Sequence, residues 1–191
     1  MLAMLGLFIL CLIYADLIVG HVHWLEDTYC TDGMPWIGEI ICDPNIDHHL
    51  DPQLMVREGT FISRNTIPWV MGVTGCVIFY LSGITHWGFY LTALFASFGN
   101  EVHRWHHVKE ANLGKLPAFL CESGIVQPRR QHSLHHKPPF NNYYCVMIAF
   151  NNAWMERVGY WRILECLFRL FGLQTKRENR RDAVMSKTVD S

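Results

Sequence analysis

Two stretches of this chain carry histidine at a spacing that can aim several imidazoles at one point. They are His103-Arg104-Trp105-His106-His107 and His132-Ser133-Leu134-His135-His136. On a helix, positions i, i+3 and i+4 share a face. Neutral imidazole is a ligand for zinc, copper, iron and nickel. Two such boxes offer six ligands, more than one tetrahedral zinc uses, so the spacing points to two metals. His48-His49, in an Asp-rich loop, and His23 are further candidates, whereas its neighbour His21 reads as an interface residue. The lone His86 reads as a hinge or interface residue.

The type of metal follows from the donor set. Soluble di-iron bundles use Glu together with Glu-x-x-His, and that motif is absent. A nearly all-histidine site beside a bilayer points to membrane oxygen-activating di-iron chemistry. Neutral ligands leave two irons strongly cationic, suited to attack on an unactivated C–H bond. Glu26, Asp27, Asp47, Asp51, Glu101 and Glu122 are placed to orient imidazole N–H groups from behind the ligands. Burying so many imidazoles near lipid without a use would be costly.

The elements that must position these residues read as membrane helices. At 191 residues, one domain is expected, with half the residues hydrophobic and 17% charged. Three stretches are long enough for a bilayer, which takes roughly 20 mostly apolar residues. They run from about Leu2 to Val22, from Thr66 to Ile84, and onward from Trp87, with a hinge at Ser82–His86. The first lacks the basic start and cleavage site of a signal peptide and reads as a retained helix. Segments Val22–Asn65 and Arg104 onward then emerge on one side. They hold every histidine but His86, with His21 and His103 at their borders, and all sixteen Lys and Arg residues. The positive-inside rule makes that side cytosolic.

Leu116–Val126 and Tyr143–Met155 are each short for a span and read as half-buried, re-entrant or surface helices, or, for the second, as part of a tilted fourth crossing. Trp161–Leu173 has an amphipathic pattern suited to the lipid interface. The fold expected is all-α: an integral membrane bundle of three to four transmembrane helices, a cytosol-facing histidine cluster and an interfacial helix. Residues 1–173 form the domain and 174–191 a charged, disordered tail. The seven scattered cysteines contain no CxxC and predict neither a disulfide scaffold nor a thiolate metal site. They fit thiols buried in membrane or facing a reducing compartment. Near-neutral charge and the absence of a nucleic-acid-binding motif exclude a nucleic-acid partner.

The chain resembles the Kua/CarF lipid desaturase family over about Ala15 to Leu173. The carriers are Ala15-Asp16, His23-Trp24, Asp27-Thr28, His48-His49 with Asp51-Pro52, Asn100 with His103-x-x-x-His107, Arg129-Arg130-x-His132-x-x-His135-His136, and Asn141-Asn142-Tyr143-Tyr144-Cys145. The resemblance implies metal ligands His23, His48, His49, His103, His107, His132, His135 and His136, with the last five at the catalytic boxes. It makes His106 a neighbour rather than a ligand. Glu156 to Glu165 is similar to the plasmanylethanolamine branch. Glu122-Ser123-Gly124 through His132, and the Asn-rich NNYYC, are similar to the plant branch that acts on phosphatidylglycerol palmitate. Phe140 departs from the animal pattern, which has histidine there.

The expected activity is O2-dependent desaturation of a membrane phospholipid chain at two irons, with electrons from a carrier such as cytochrome b5 or ferredoxin. The product is a vinyl ether or, alternatively, an acyl-chain alkene. A lipid hydroxylase is the enzyme rival, and a zinc-binding or transport protein the rival of another class. Transporters place their ligands near the bilayer midplane, whereas these lie at one surface. Phe79, Phe89, Phe95 and Phe98 are expected to line the lipid chain, and Arg104, Arg129 and Arg130 to meet a phosphate headgroup. The expected location is the endoplasmic reticulum in a eukaryote or the inner membrane in a bacterium.

Overall fold

In the computed structural model, which describes residues 1–177, every regular element is helical. Helix α1 (Leu2–Tyr29) has 28 residues and spans about 42 Å at 1.5 Å per residue. It is the one helix among the described residues long and apolar enough to cross a membrane. That length exceeds the roughly 30 Å hydrocarbon thickness, so its C-terminal turns, with His23, Glu26 and Asp27, lie beyond the apolar stretch.

The second apolar stretch forms α4 (Phe61–Leu81). It begins before the expected Thr66 because Thr60 and Ser63 make a capping box, with Thr60 Oγ1 accepting from Ser63 N at 3.1 Å and Ser63 Oγ accepting from Thr60 N at 2.8 Å. The third stretch is two helices, α5 (Trp87–Ala96) and α6 (Gly99–Trp105), broken at Ser97–Phe98. The predicted hinge is present: Gly83 takes a positive φ of 72°, and His86 Nδ1 accepts from Gly88 N at 3.2 Å.

Pro68 lies inside α4 and has no N–H, so the Arg64 carbonyl loses its helical partner. Asn100 replaces it, with Nδ2 donating to Arg64 O at 3.0 Å. This bond ties the start of α6 to α4 one turn before His103. On the other side α1 approaches closely: a Cβ on Gly99 would sit 2.7 Å from Val19 Cγ2.

Short helices cover the end of this three-helix unit. They are α2 (Asp43–Leu50), α3 (Leu54–Arg57), α7 (Lys115–Glu122), α8 (Arg129–His135), α9 (Ala149–Val158) and the amphipathic α10 (Tyr160–Leu170). The core beneath them stacks Trp24 on Trp161 with ring centroids 5.9 Å apart, together with buried Tyr144 and Met155.

Three expectations are corrected. Tyr143–Met155 is not one helix, because residues 143–148 form no regular element and only then does α9 start. Cys30 and Cys42 are disulfide-bonded, drawn together by the turn through Met34–Trp36 and the π-helical turn Gly38–Cys42. Their spacing of 12 residues resembles no motif. The tail does not begin free at Gln174, since Lys176 N donates to Thr28 O at 2.7 Å and Arg177 bonds Thr28 and Glu165. Residues 178–191 lie outside the described residues.

Asn100→Ala leaves the Arg64 carbonyl without its donor. The expected loss is about 1–3 kcal/mol of stability, read as a lowered midpoint in thermal unfolding of the purified protein.

Candidate metal centre

Five chain segments deliver the histidines to one point. The end of α1 brings His23 with Asp27 one turn later, and α2 brings His48 and His49. His103 comes from α6, His107 from the turn after it, and His132, His135 and His136 from α8 and its C-terminal end. They fall into two groups, His48/His103/His107/His132/His136 and His23/Asp27/His49/His135. Within each group the donor atoms lie within 4.8 Å of one another.

The spacing inside the groups decides what they are built for. His132 Nε2 lies 3.0 Å from His103 Nε2, 2.7 Å from His107 Nε2 and 3.0 Å from His136 Nε2, and His48 Nε2 is 3.2 Å from His103 Nε2. One ring nitrogen carries at most one proton and cannot satisfy three such neighbours by hydrogen bonding. Ligands held about 2.0–2.1 Å from a metal at right-angled to tetrahedral angles are themselves about 2.8–3.4 Å apart. The separations in this group are close to the edges of such a coordination polyhedron. In the second group His135 Nε2 lies 3.1 Å from His23 Nε2, while Asp27 Oδ1 is 2.9 Å from His49 Nε2 and Asp27 Oδ2 is 3.2 Å from His135 Nε2. The residues therefore fit two metal ions.

The ring orientations are set from behind. His23 Nδ1 donates to the Tyr144 carbonyl at 3.0 Å and His135 Nδ1 to the Asn142 carbonyl at 2.7 Å. Each bond places the proton on Nδ1 and leaves Nε2 free to ligate. Both carbonyls belong to the irregular segment 141–147, which is itself fixed. Asn152 accepts from Cys145 N at 3.0 Å and donates to Cys145 O at 2.6 Å, Gln127 donates to Tyr143 O at 2.9 Å, and Asp16 accepts from Met147 N at 2.7 Å.

Burial and the neighbouring imidazoles hold His48 and His132 well below the usual histidine range, and His136 is lowered for the same reasons. These rings are neutral at physiological pH, the form that binds metal.

A cavity of about 1180 Å³ opens from this centre. It runs between α1, α4 and α5–α6, from His23, His48 and His103 down to Leu7, Phe79 and His86. Glu26, Asp47, Glu58 and Arg64 line its polar end.

All eight predicted ligands lie in the two groups. His106 lies outside them, its Nε2 donating to the Val146 carbonyl at 3.0 Å. His21 is also outside, bound to Leu17 O and the Tyr160 hydroxyl. The sequence reading put Asp27 behind the ligands, whereas its carboxylate lies among them. The signal available was its i+4 spacing from His23. Phe79 and Phe89 line the cavity, but Phe95 packs against Val102 and its neighbours instead. Arg129 donates to the Trp105 and Val108 carbonyls and Arg104 to Glu101, while the cavity's own arginine is Arg64. Phe140, at the departure from the animal pattern, is buried with its ring 5.3 Å from that of His49.

A family model described as a lipid desaturase domain matches residues 12–178. The chain belongs to the lipid desaturase family. It is 28% identical over 167 residues to plasmanylethanolamine desaturase 1 of Mus musculus, covering 81% of this chain and 61% of that protein. It is 26% identical over 160 residues to plasmanylethanolamine desaturase of Myxococcus xanthus (80% and 56%). It is 29% identical over 165 residues to the chloroplastic fatty acid desaturase 4 of Arabidopsis thaliana (85% and 50%). The chain thus spans about half to three fifths of these relatives' length. No solved structure matches it.

For this lipid desaturase family member, His132→Ala should strip metal from the first group, whereas His106→Ala should leave metal content near wild type, both read by elemental analysis of purified protein. The metal-free chain should also be acid-sensitive. An unfolded imidazole takes up a proton below about pH 6.5, while the buried rings stay neutral to lower pH. Stability is therefore full above 6.5 and falls as pH drops from 6.5 toward the lowered values. Thermal unfolding of the metal-free protein between pH 7 and 5 checks the slope.

Proposed function

We propose that this protein is a membrane di-iron lipid desaturase that uses O2 and two electrons to place a double bond in a lipid chain. The observation that carries the reading is the meeting of two metal-shaped ligand groups with one end of a long, mainly apolar cavity. An amphiphile matches that cavity, with its head at Glu26, Asp47, Glu58 and Arg64 and its chain running toward Phe79 and His86.

His48, His103, His107, His132 and His136 would hold one ion, and His23, Asp27, His49 and His135 the other. Bound iron supplies O2 activation and the oxidation of an unactivated C–H bond. The chain's own part is positioning. The Asn142 and Tyr144 carbonyls aim Nε2 lone pairs inward, and the cavity walls hold adjacent carbons near the centre and keep water away. In balance, two hydrogens leave neighbouring carbons, two electrons and two protons enter, and O2 leaves as two waters. The electrons would come from a carrier such as cytochrome b5 or ferredoxin.

The preferred substrate is an alkyl ether phospholipid that becomes a vinyl ether, a reading supported by the names of the Mus musculus and Myxococcus xanthus relatives. The Arabidopsis thaliana relative supports the alternative, an acyl-chain alkene. Three crossings would be made by α1, α4 and α5–α6. Their support is the exposed apolar surface of Leu5, Ile9, Val70, Val77 and Leu94. In α10, exposed Ile163, Leu167 and Leu170 suit the interface. The distribution of Lys and Arg favours a cytosolic centre. The Cys30–Cys42 disulfide argues the other way, since disulfides persist in oxidising compartments. Thiol labelling of intact cells separates the two.

Lipid mass spectrometry of cells expressing the chain should show ether lipids lighter by two hydrogens. His135→Ala should abolish that product, and the purified wild type should carry about two irons. A gain of one oxygen would make it a hydroxylase. Zinc alone, with no lipid product when iron, O2 and reductant are supplied, would sink the proposal.

A further inference from the structure

The glycines that line the cavity on α4 differ in what they are for. Gly72 is a packing glycine, since a Cβ there would lie 2.2 Å from Ser97 Oγ and 3.3 Å from the Ala93 carbonyl. Gly75, less than one turn on, would meet nothing within 4 Å. It sits in the interior of a regular helix, where glycine is about 1 kcal/mol worse than alanine. No left-handed backbone and no close neighbour requires it. What it does instead is leave space inside the cavity, whose wall it forms.

Its depth gives that space a meaning. Arg64, at the ligand end, and Gly75 lie on the same α4 face, 11 residues and about 16 Å apart at 1.5 Å per residue. One turn further, Phe79 bounds the cavity together with Leu7, Cys11 and Gly88. Opposite, Cys11 Sγ lies 3.4 Å from the Gly88 carbonyl, so α1 and α5 are already closed on each other at this level. A chain lying in the cavity therefore reaches its last pocket by way of Gly75.

We infer that Gly75 is a specificity-determining residue for lipid tail length, admitting the methyl end of the chain beyond the reacting carbons into the pocket bounded by Leu7, Cys11, Phe79 and Gly88. The inference rests on the reading of this protein as a lipid desaturase. Filling the position shortens the tail that fits and leaves the ligand end, about three helical turns away, untouched. One methylene too many in a closed apolar pocket discriminates by roughly 10–200-fold.

The test is Gly75→Leu in the full chain, given lipids that differ only in tail length. The variant should keep wild-type metal content and unfold no earlier than wild type, because leucine improves the helix and its Cβ meets nothing within 4 Å. It should lose roughly tenfold or more of its rate on the longest accepted tails and keep its rate on tails several carbons shorter. A binding readout runs beside it. A lipid with a diazirine near the methyl end should label the Leu7–Cys11 or Phe79–Phe89 segments in wild type and lose that labelling in Gly75→Leu. Equal rate loss at all lengths, or an unchanged length profile with labelling retained, overturns the inference. Should wild type show the labelling but form no desaturated product, the tail pocket stands and the desaturase reading falls. Phe79→Ala is the opposite variant. It enlarges the same pocket and should extend acceptance to longer tails, and unchanged length preference there would also count against the inference.

Discussion

Eight imidazoles and a carboxylate converge here with nitrogen-to-nitrogen separations near 3 Å, and the rest of the structure follows from making that tolerable. Charged rings could not be packed this way, because burial and mutual repulsion both oppose protonation. Neutral rings still present lone pairs to one another unless cations lie between them. The fold must therefore keep the rings dry, fix their tautomers and supply enough packing to hold them before any ion arrives. The carbonyls of segment 141–147, clamped by Asn152, Gln127 and Asp16, do the second task. The Trp24, Tyr144 and Trp161 core does the third.

The same helices serve the opposite end of the problem. α1 ends in His23 and Asp27 and begins as the wall of the cavity at Leu7 and Cys11, while α4 and α5–α6 repeat the arrangement with Arg64 and His103. Pro68 breaks one hydrogen bond in α4, and Asn100 takes up the carbonyl that results. A local defect in one helix thus becomes the joint that sets His103 against it. Helices α1 and α6 of the histidine cluster thus also wall the cavity, together with α4 and α5.

Much of this was legible in the residues. The i, i+3, i+4 spacing of the boxes, the hinge at Ser82–His86 and the amphipathic pattern of α10 all lie in side-chain periodicity, which sequence displays directly. What was hidden depends on the backbone or on distant chain contacts. The acceptors for His23 and His135 are main-chain carbonyls, which any residue provides, so Asn142 and Tyr144 gave no sign of that role. The break at Ser97–Phe98 lies within an apolar run, and Cys30 finds Cys42 only because a π-helical turn brings it back. Asp27 was visible as a helical neighbour of His23, yet its place among the donors depends on His49 and His135 arriving from elsewhere. Arg129 looked like a headgroup ligand because its charge was plain and its carbonyl partners were not.

The donors come from widely separated parts of the chain, with His23 and His135 112 residues apart. Ions bound between them would be cross-links. Each would close very large loops, and the entropy of loop closure rises only slowly with length, so a few coordinate bonds can restrain almost the whole polypeptide. Metal affinity and folding free energy are then one quantity seen from two sides. With ions bound there, a cell short of the metal would hold a looser protein, and its abundance would follow metal supply.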